Sequence, residues 1–242
     1  MIDHDAQRLA VRLDGLPLAL ATAGAYISQT ADSFGYYLQM YEESWDELAQ
    51  YCDESQEYED RTLYSTWNLS LKQIEAQDSE AAQMLRLIAY FSNTDLWYEL
   101  FQRAAKSGPE WLSNVVKSKL RFNKAMSKLH EYSLVEVETQ QGRYSLHTCV
   151  HDWTFEHLNH KFDADLCCIA VSAIAENVIW NNEADFWIRN RRLEQHIRRL
   201  DYKRLRNSID WNSIDTEDLH NLGNLNSTIG SCLLYTSPSP RD

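Results

Sequence analysis

The sequence is poor in the residues that interrupt helices. Its 242 residues include only seven glycines and four prolines, and Pro238 and Pro240 both lie among the last five residues. Because glycine and proline end helices and mark turns, their scarcity predicts helices joined by short connections. The 44% hydrophobic content is sufficient for a sizeable core. We therefore predict a mainly α-helical fold.

The motifs that anchor common catalytic sites are also missing. The sequence contains no G-x-x-x-x-G-K-[ST] phosphate loop, no G-x-S-x-G nucleophile turn, no H-E-x-x-H pair and no G-x-G-x-x-G dinucleotide motif. Its five cysteines include no C-x-x-C pair, which is typical of unpaired thiols in a reducing compartment. We expect a protein without catalytic activity.

Long apolar runs and excess positive charge are absent as well. The longest apolar stretch, Leu16–Ile27, is shorter than a membrane span requires, and the first ten residues have no apolar signal core. A net charge of −13 produces a field that repels phosphate backbones and acidic membranes. We expect a cytoplasmic protein that contacts no membrane and does not generally coat nucleic acid.

Residues 1–51 have the pattern of a small bundle of helices. Apolar residues recur at helical spacing over Ala6–Leu13, Gly15 is suited to end that helix, and Pro17 is suited to begin the next. Residues 52–62 are strongly acidic and lack apolar periodicity, which predicts a solvated linker.

Residues 63–160 are predicted to form helices followed by one β-hairpin. Leu134–Thr139 and Arg143–Leu146 largely alternate apolar and polar residues, and Gln140–Gly142 can turn between them. Helices followed by a two-stranded hairpin are typical of a winged-helix domain, in which Asn123–Tyr132 would be the third helix.

Residues 161–230 are predicted to form a helical connector. Eight basic residues between Arg189 and Arg206 are interleaved with leucine and isoleucine at helical spacing, which predicts an amphipathic helix. We expect its basic face to be solvated, or else to dock on the acidic linker or on an acidic partner.

Histidines and a cysteine after the hairpin raise the alternative of a metal centre. His147, Cys149 and His151 are followed by His157 and His160. No glutamate lies between the histidines, and the spacing matches no standard ligand set. The pattern favours structural histidines at the junction and on a helix face.

Basic residues around the predicted third helix raise the alternative of nucleic-acid binding. They are Lys117, Lys119, Arg121, Lys124 and Lys128. Winged-helix DNA readers place groove and phosphate contacts at this helix. The apolar residues that we expect on its buried face are Phe122, Ala125, Met126 and Leu129. With these apolar residues buried, the cations lie on the opposite, solvated face of the helix, as in many helices that bind no nucleic acid. Glu131, Glu136 and Glu138 add negative charge nearby, which disfavours a phosphate backbone.

Two motifs resemble those of NB-ARC proteins of the STAND class. Gly15–Leu20 is similar to the GLPLA motif of their helical ARC subdomain, and Tyr144–Trp153 is similar to the MHD-type motif that ends their winged-helix domain. Leu146 and Thr148 replace the methionine and the aspartate of the usual motif. The version here resembles fungal members with C-terminal tetratricopeptide repeats, and Leu219–Leu225 resembles the start of a first repeat.

The resemblance implies a nucleotide-dependent signalling switch, akin to innate-immunity receptors. In the family, the GLPLA proline lines the adenine site and the MHD histidine approaches the diphosphate of ADP, which assigns these roles to Pro17 and His147. ADP or ATP would be the cofactor of a full-length parent, and we expect no tight binding by this chain alone. The implied partners are a P-loop nucleotide-binding domain ahead of Met1 and the repeats of the parent.

Residues 231–242 differ in composition from the rest of the chain. They are rich in serine and proline and resemble translated adapter sequence, so we expect them to lie outside the fold. Alternatives to the regulatory segment are a winged-helix nucleic-acid-binding module and a helical protein-interaction scaffold.

Overall fold

The computed structural model describes residues 3–49, 58–105, 108–138, 142–159, 161–178, 186–200, 216–218, 220–223 and 225. The helices α1 to α11 span His4–Arg12, Pro17–Thr30, Phe34–Ala49, Tyr58–Gln77, Ser79–Ile88, Tyr98–Ala104, Glu110–Val115, Lys119–Glu131, Thr148–Trp153, Ala164–Glu176 and Phe186–Leu200. The strands β1 to β3 span Leu96–Trp97, Glu136–Glu138 and Arg143–Ser145. The prediction of a mainly α-helical fold is confirmed.

Helices α1 to α3 form the N-terminal bundle. The turn between α1 and α2 places Asp14 and Gly15 at φ angles of 53° and 64°, a conformation that glycine adopts without steric strain. Pro17 is the first residue of α2, as the sequence predicts. Helix α3 packs on α1, where Arg12 Nε lies 2.7 Å from Glu42 Oε1.

Helix α4 begins inside the predicted linker. Its first residue is Tyr58, so the prediction of a solvated linker is wrong from that residue onward. The Arg61 guanidinium lies 4.2 Å from the Trp45 ring centroid and donates a 2.8 Å hydrogen bond to the Trp45 carbonyl. An acidic residue such as Asp60 in the first turn also suits the helix dipole. Residues 52–57 of the predicted linker lie outside the described residues.

Aromatic side chains fill the core beyond α4. Phe91, Phe101 and Phe122 are fully buried. The ring centroids of Phe91 and Phe101 are 5.1 Å apart, and those of Phe101 and Phe122 are 5.7 Å apart. The Tyr144 ring on β3 completes the group in an edge-to-face arrangement, with its centroid 5.7 Å from that of Phe122. The other buried residues of α8 are Ala125, Met126 and Leu129, which confirms the predicted face.

The three strands form one antiparallel sheet in the order β1-β3-β2. Tyr144 in the central strand pairs with Leu96 on one side and with Val137 on the other. The predicted pairing of β2 with β3 is confirmed, whereas β1 is an addition that the sequence does not predict. Two residues are too short a strand to show an alternating pattern. Gln140 and Gln141 of the predicted turn lie outside the described residues.

The chain leaves the sheet through α9, which passes directly into a π-helical segment, Thr154–Leu158. The hydroxyl of Thr154 donates to the carbonyl of Val150 at 2.7 Å. Helix α10 then packs on α5 and α6, and α11 packs on α10. None of the helices in the described part of the chain is both long and apolar enough to cross a bilayer.

The predicted start of a repeat is helical wherever it is described. Leu222 and Leu225 are buried there, and Gly223 is exposed. Its assignment to a tetratricopeptide repeat stays a prediction. The 231–242 tail lies outside the described residues.

The core of α8 provides a paired test of this packing. We expect Phe122→Ala to lower the free energy of unfolding by about 3–5 kcal/mol, because it removes a fully buried ring from the aromatic group. Leu120→Ala on the same helix should change it by less than about 0.5 kcal/mol, because Leu120 is 80% exposed. Urea unfolding followed by tryptophan fluorescence measures both values. Equal losses from the two substitutions would contradict the packing.

Candidate functional site

Pro17 and His147, the two residues expected to contact nucleotide, lie at the N-terminal ends of different helices. Pro17 is exposed at the first position of α2, and His147 is the exposed N-cap residue of α9. No hydrogen bond within the described residues joins the two helix ends directly. Each position is therefore accessible to a ligand.

His147 has the chemistry that a phosphate contact requires. Its Nδ1 accepts a hydrogen bond from the backbone N–H of Cys149 at 3.3 Å. A ring nitrogen that accepts cannot carry a proton, so the neutral imidazole has its proton on Nε2. This exposed N–H can donate to a phosphate oxygen, and the exposed ring of Pro17 offers a flat apolar surface. Both residues fit the roles that the resemblance implies.

His151, one turn after His147, has a structural role. It is 4% exposed, and its Nε2 lies 2.9 Å from the carbonyl oxygen of Phe91. Because a carbonyl only accepts, Nε2 carries the proton. The pKa of His151 is lowered to about 4, chiefly by burial and also by the nearby Arg199 charge, while the hydrogen bond to Phe91 opposes the shift. His151 is therefore neutral at physiological pH.

The described residues of the histidine cluster do not converge on a metal site. His157 packs its ring against Tyr64, with centroids 4.2 Å apart, and Cys149 is exposed. His160 lies outside the described residues. Across the described segments, no three His, Cys, Asp or Glu side chains are grouped so that they could hold a metal ion.

A five-residue loop after α5, Phe91–Asp95, holds the motif segment in place. The backbone N–H of Leu146 donates to the carbonyl of Asn93 at 2.7 Å, and the Asn93 amide returns a 3.0 Å bond to the carbonyl of Leu146. The bond from His151 to Phe91 anchors the other end. We call these five residues the 91–95 loop.

Helix α11 docks on the opposite side of the same loop. His196 is fully buried, and its Nδ1 accepts from the backbone N–H of Ser92 at 3.1 Å. Its Nε2 therefore carries the proton, which it donates to the carbonyl of Asp95 at 3.2 Å. Burial lowers the pKa of His196 to about 4. Gln195 adds two bonds to Thr94, of 2.9 and 3.3 Å.

Asp95 ties the loop to two other elements by charge. Arg192 of α11 binds its carboxylate with both Nε and Nη2, at 2.9 and 2.6 Å. Arg143 of β3 contributes a third contact, 3.3 Å from Oδ1. The Arg192 guanidinium also lies 4.0 Å from the ring centroid of Trp97. Bidentate pairing combined with stacking fixes the arginine more firmly than a single exposed ion pair would.

The prediction of a solvated basic face on α11 is wrong for two of its arginines. Arg192 pairs with Asp95, and Arg199 lies 4.5 Å from the ring centroid of Phe155 and donates to the carbonyl of Ala89 at 3.4 Å. The buried spacing of Leu193, Ile197 and Leu200 confirms the predicted amphipathic helix. The basic residues beyond Leu200 lie outside the described residues.

Comparison with known proteins adds one finding. Residues 72–162 match the family model described as Domain of unknown function (DUF7779). No curated protein and no solved structure gives a significant match to the chain. The matched segment contains the 91–95 loop, the three strands and α9, whereas α11 lies beyond it.

The loop and its partners could not be located from the sequence. Asp95 and His196 are about a hundred residues apart, and neither belongs to a motif. The one available signal is the regular apolar spacing of α11, which predicts that this helix is buried on one face without indicating the surface that it meets.

The two buried histidines should make stability depend on pH. The pKa of each is about 4 in the folded chain against 6.5 for an ordinary histidine, so the unfolded chain binds more protons between these values. Stability is then complete above about pH 6.5 and declines as the pH falls towards 4. From pH 7 to pH 5 we expect each histidine to remove roughly 2 kcal/mol from the free energy of unfolding.

Urea unfolding of His196→Leu at the two pH values isolates one histidine. This variant should be less stable than the parent at pH 7, because Ser92 and Asp95 lose a hydrogen-bond partner. Its loss between pH 7 and pH 5 should be smaller by roughly 2 kcal/mol. An undiminished loss would show that His196 does not resist protonation in the folded chain.

Proposed function

We propose that this chain is a non-catalytic regulatory segment of an NB-ARC-type nucleotide switch, working in the cytoplasm. Its partners would be the P-loop domain and the tetratricopeptide repeats of a longer parent. Its task would be to stabilise an ADP-bound closed state and to couple that state to the position of the repeats.

One observation carries this proposal, namely that the 91–95 loop contacts two distant parts of the chain. On one side it bonds Leu146 and His151 of the motif, and on the other it bonds His196 and Arg192 of α11. A displacement of the motif acts on the loop whose other groups, the N–H of Ser92 and the carbonyl of Asp95, hold the connector helix. Coupling of two sites requires such an element, with an arrangement that both sites can bias.

The order of elements supports a winged-helix interpretation of the segment around the loop. Strand β1 lies between α5 and α6, and it pairs with the hairpin that follows α8. The hairpin would be the wing, and the motif begins in its second strand. In this interpretation the nucleotide-facing histidine is positioned by a small rigid sheet.

Two residues of this chain would contact the nucleotide. The Pro17 ring would pack against adenine, and the Nε2–H of His147 would donate to a phosphate oxygen. Bound nucleotide supplies a negatively charged group whose presence the switch detects. The other phosphate contacts would come from the P-loop domain of the parent, so we expect weak binding by this chain alone.

Substitution of His147 tests the nucleotide role in the full-length parent. His147→Ser keeps a side chain that can cap α9 but removes the imidazole, whereas His147→Ala removes both. We expect both variants to release ADP about tenfold faster or more, since each loses a hydrogen bond to phosphate. Retention of bound nucleotide through gel filtration and its release rate are the measurements. Release at the wild-type rate from the serine variant would contradict the role.

Substitution in α11 tests the coupling in the present chain. Arg192→Gln removes the ionic contacts with Asp95, and Arg198→Gln is the control, because Arg198 pairs only one turn away with Glu194. We expect amide hydrogen exchange in residues 144–151 to accelerate about threefold or more in the first variant. The control should leave this exchange unchanged. Acceleration confined to α11 in Arg192→Gln would show that the loop does not transmit the change.

A further inference from the structure

Helix α8 begins with a cluster of exposed cations around one exposed apolar side chain. The cations are Lys117, Lys119, Arg121 and Lys124. Leu120 lies among them and is 80% exposed. We call these five residues the α8 basic face. The opposite side of the helix, which carries Phe122 and Met126, is in the core, so the face is not needed to hold the helix in place.

These cations have no acidic partner among the described residues. Arg121 donates a long 3.5 Å bond to the carbonyl of Asn114, and no ion pair involves the three lysines. Lys128, which the sequence pattern groups with them, is different because it lies 2.6 Å from Glu131.

Val11, an equally exposed aliphatic side chain, provides a useful contrast. It is also 80% exposed and lies between two arginines of α1. Arg8 lies 3.1 Å from Asp5, and Arg12 lies 2.7 Å from Glu42. The charges around Val11 are therefore compensated, whereas those around Leu120 are available to a partner.

Acidic groups limit how far an anionic partner can extend beyond this face. Asn123 of α8 accepts a 3.1 Å hydrogen bond from the hydroxyl of Tyr144, so strand β3 lies beside the helix. Exposed Glu136 and Glu138 lie on β2, one strand further. At physiological salt a charge is felt over about 8 Å, so a short acidic ligand senses the local cations more than the net charge of −13.

We propose that the α8 basic face docks a short acidic protein segment that packs one apolar side chain against Leu120. Four uncompensated cations provide the charge complementarity, and Leu120 provides an apolar contact that a phosphate backbone does not use. A nucleic-acid duplex or a membrane is extended and would meet the glutamates of β2, whereas a segment of a few residues can stay on the α8 basic face. This docking site uses none of the proposed nucleotide contacts and stands independently of them.

Binding of a fluorescein-labelled peptide to the full chain tests the site. The probe is a peptide of about six residues, rich in Asp and Glu, with one central leucine, and fluorescence anisotropy is read at low and at high salt. We expect binding that weakens as salt rises. Lys119→Glu combined with Lys124→Glu should weaken it about tenfold or more. Lys161→Glu combined with Arg191→Glu makes the same change of charge at exposed positions elsewhere and should leave it within about twofold.

A second pair of variants tests the apolar contact. Leu120→Ser should weaken peptide binding about threefold to tenfold, and Val11→Ser should not change it. Far-UV circular dichroism confirms that each variant is folded, and Lys119→Gln with Lys124→Gln replaces the charge reversal if that variant unfolds.

Three results would overturn the proposal. They are an absence of peptide binding at low salt, equal weakening by the two charge-reversed pairs, and tighter binding of the same face to a short DNA duplex or to phosphatidylserine vesicles than to the peptide. The last result would assign the face to nucleic acid or to a membrane instead.

Discussion

The hydrogen bonds made by the 91–95 loop are the constraint on which this part of the molecule depends. A turn enclosed by other elements has backbone groups that must find partners within the protein. Here His151, Leu146 and His196 supply them, and all three lie far along the chain from the loop. Docking of both α9 and α11 therefore stabilises this conformation of the loop.

This dependence makes undocking of α11 unfavourable. If α11 moved away, the N–H of Ser92 and the carbonyl of Asp95 would lose their partner, and the Asp95 carboxylate would lose Arg192. Each of these hydrogen bonds contributes about 1 kcal/mol after exchange with water, so their joint loss favours the docked position of α11. The switch proposed above would therefore need an input that offsets these losses.

Neutral histidines suit such a junction better than charged side chains would. His151 and His196 each donate one hydrogen bond to a carbonyl while remaining buried and uncharged. At the edge of the junction, Arg192 and Arg143 meet Asp95, and water can still reach these two arginines. The hydrogen bonds of the two histidines hold the interior of the junction together. The ion pair between Arg192 and Asp95 at its edge fixes the position of α11 on the loop.

Local features of this fold follow from short stretches of sequence. Pro17 begins α2, the strands around Gly142 form a hairpin, and Phe122 lies on the buried face of α8, because each depends on residues a few positions apart. The roles of Pro17 and His147 with nucleotide stay predictions. Only the tertiary structure decided that α4 begins at Tyr58 and that β1 joins the sheet. The tertiary structure alone also decided that His196 and Arg192 contact the 91–95 loop. Which polar groups pair in the interior depends on which surfaces of the fold meet, and no short stretch of sequence specifies this.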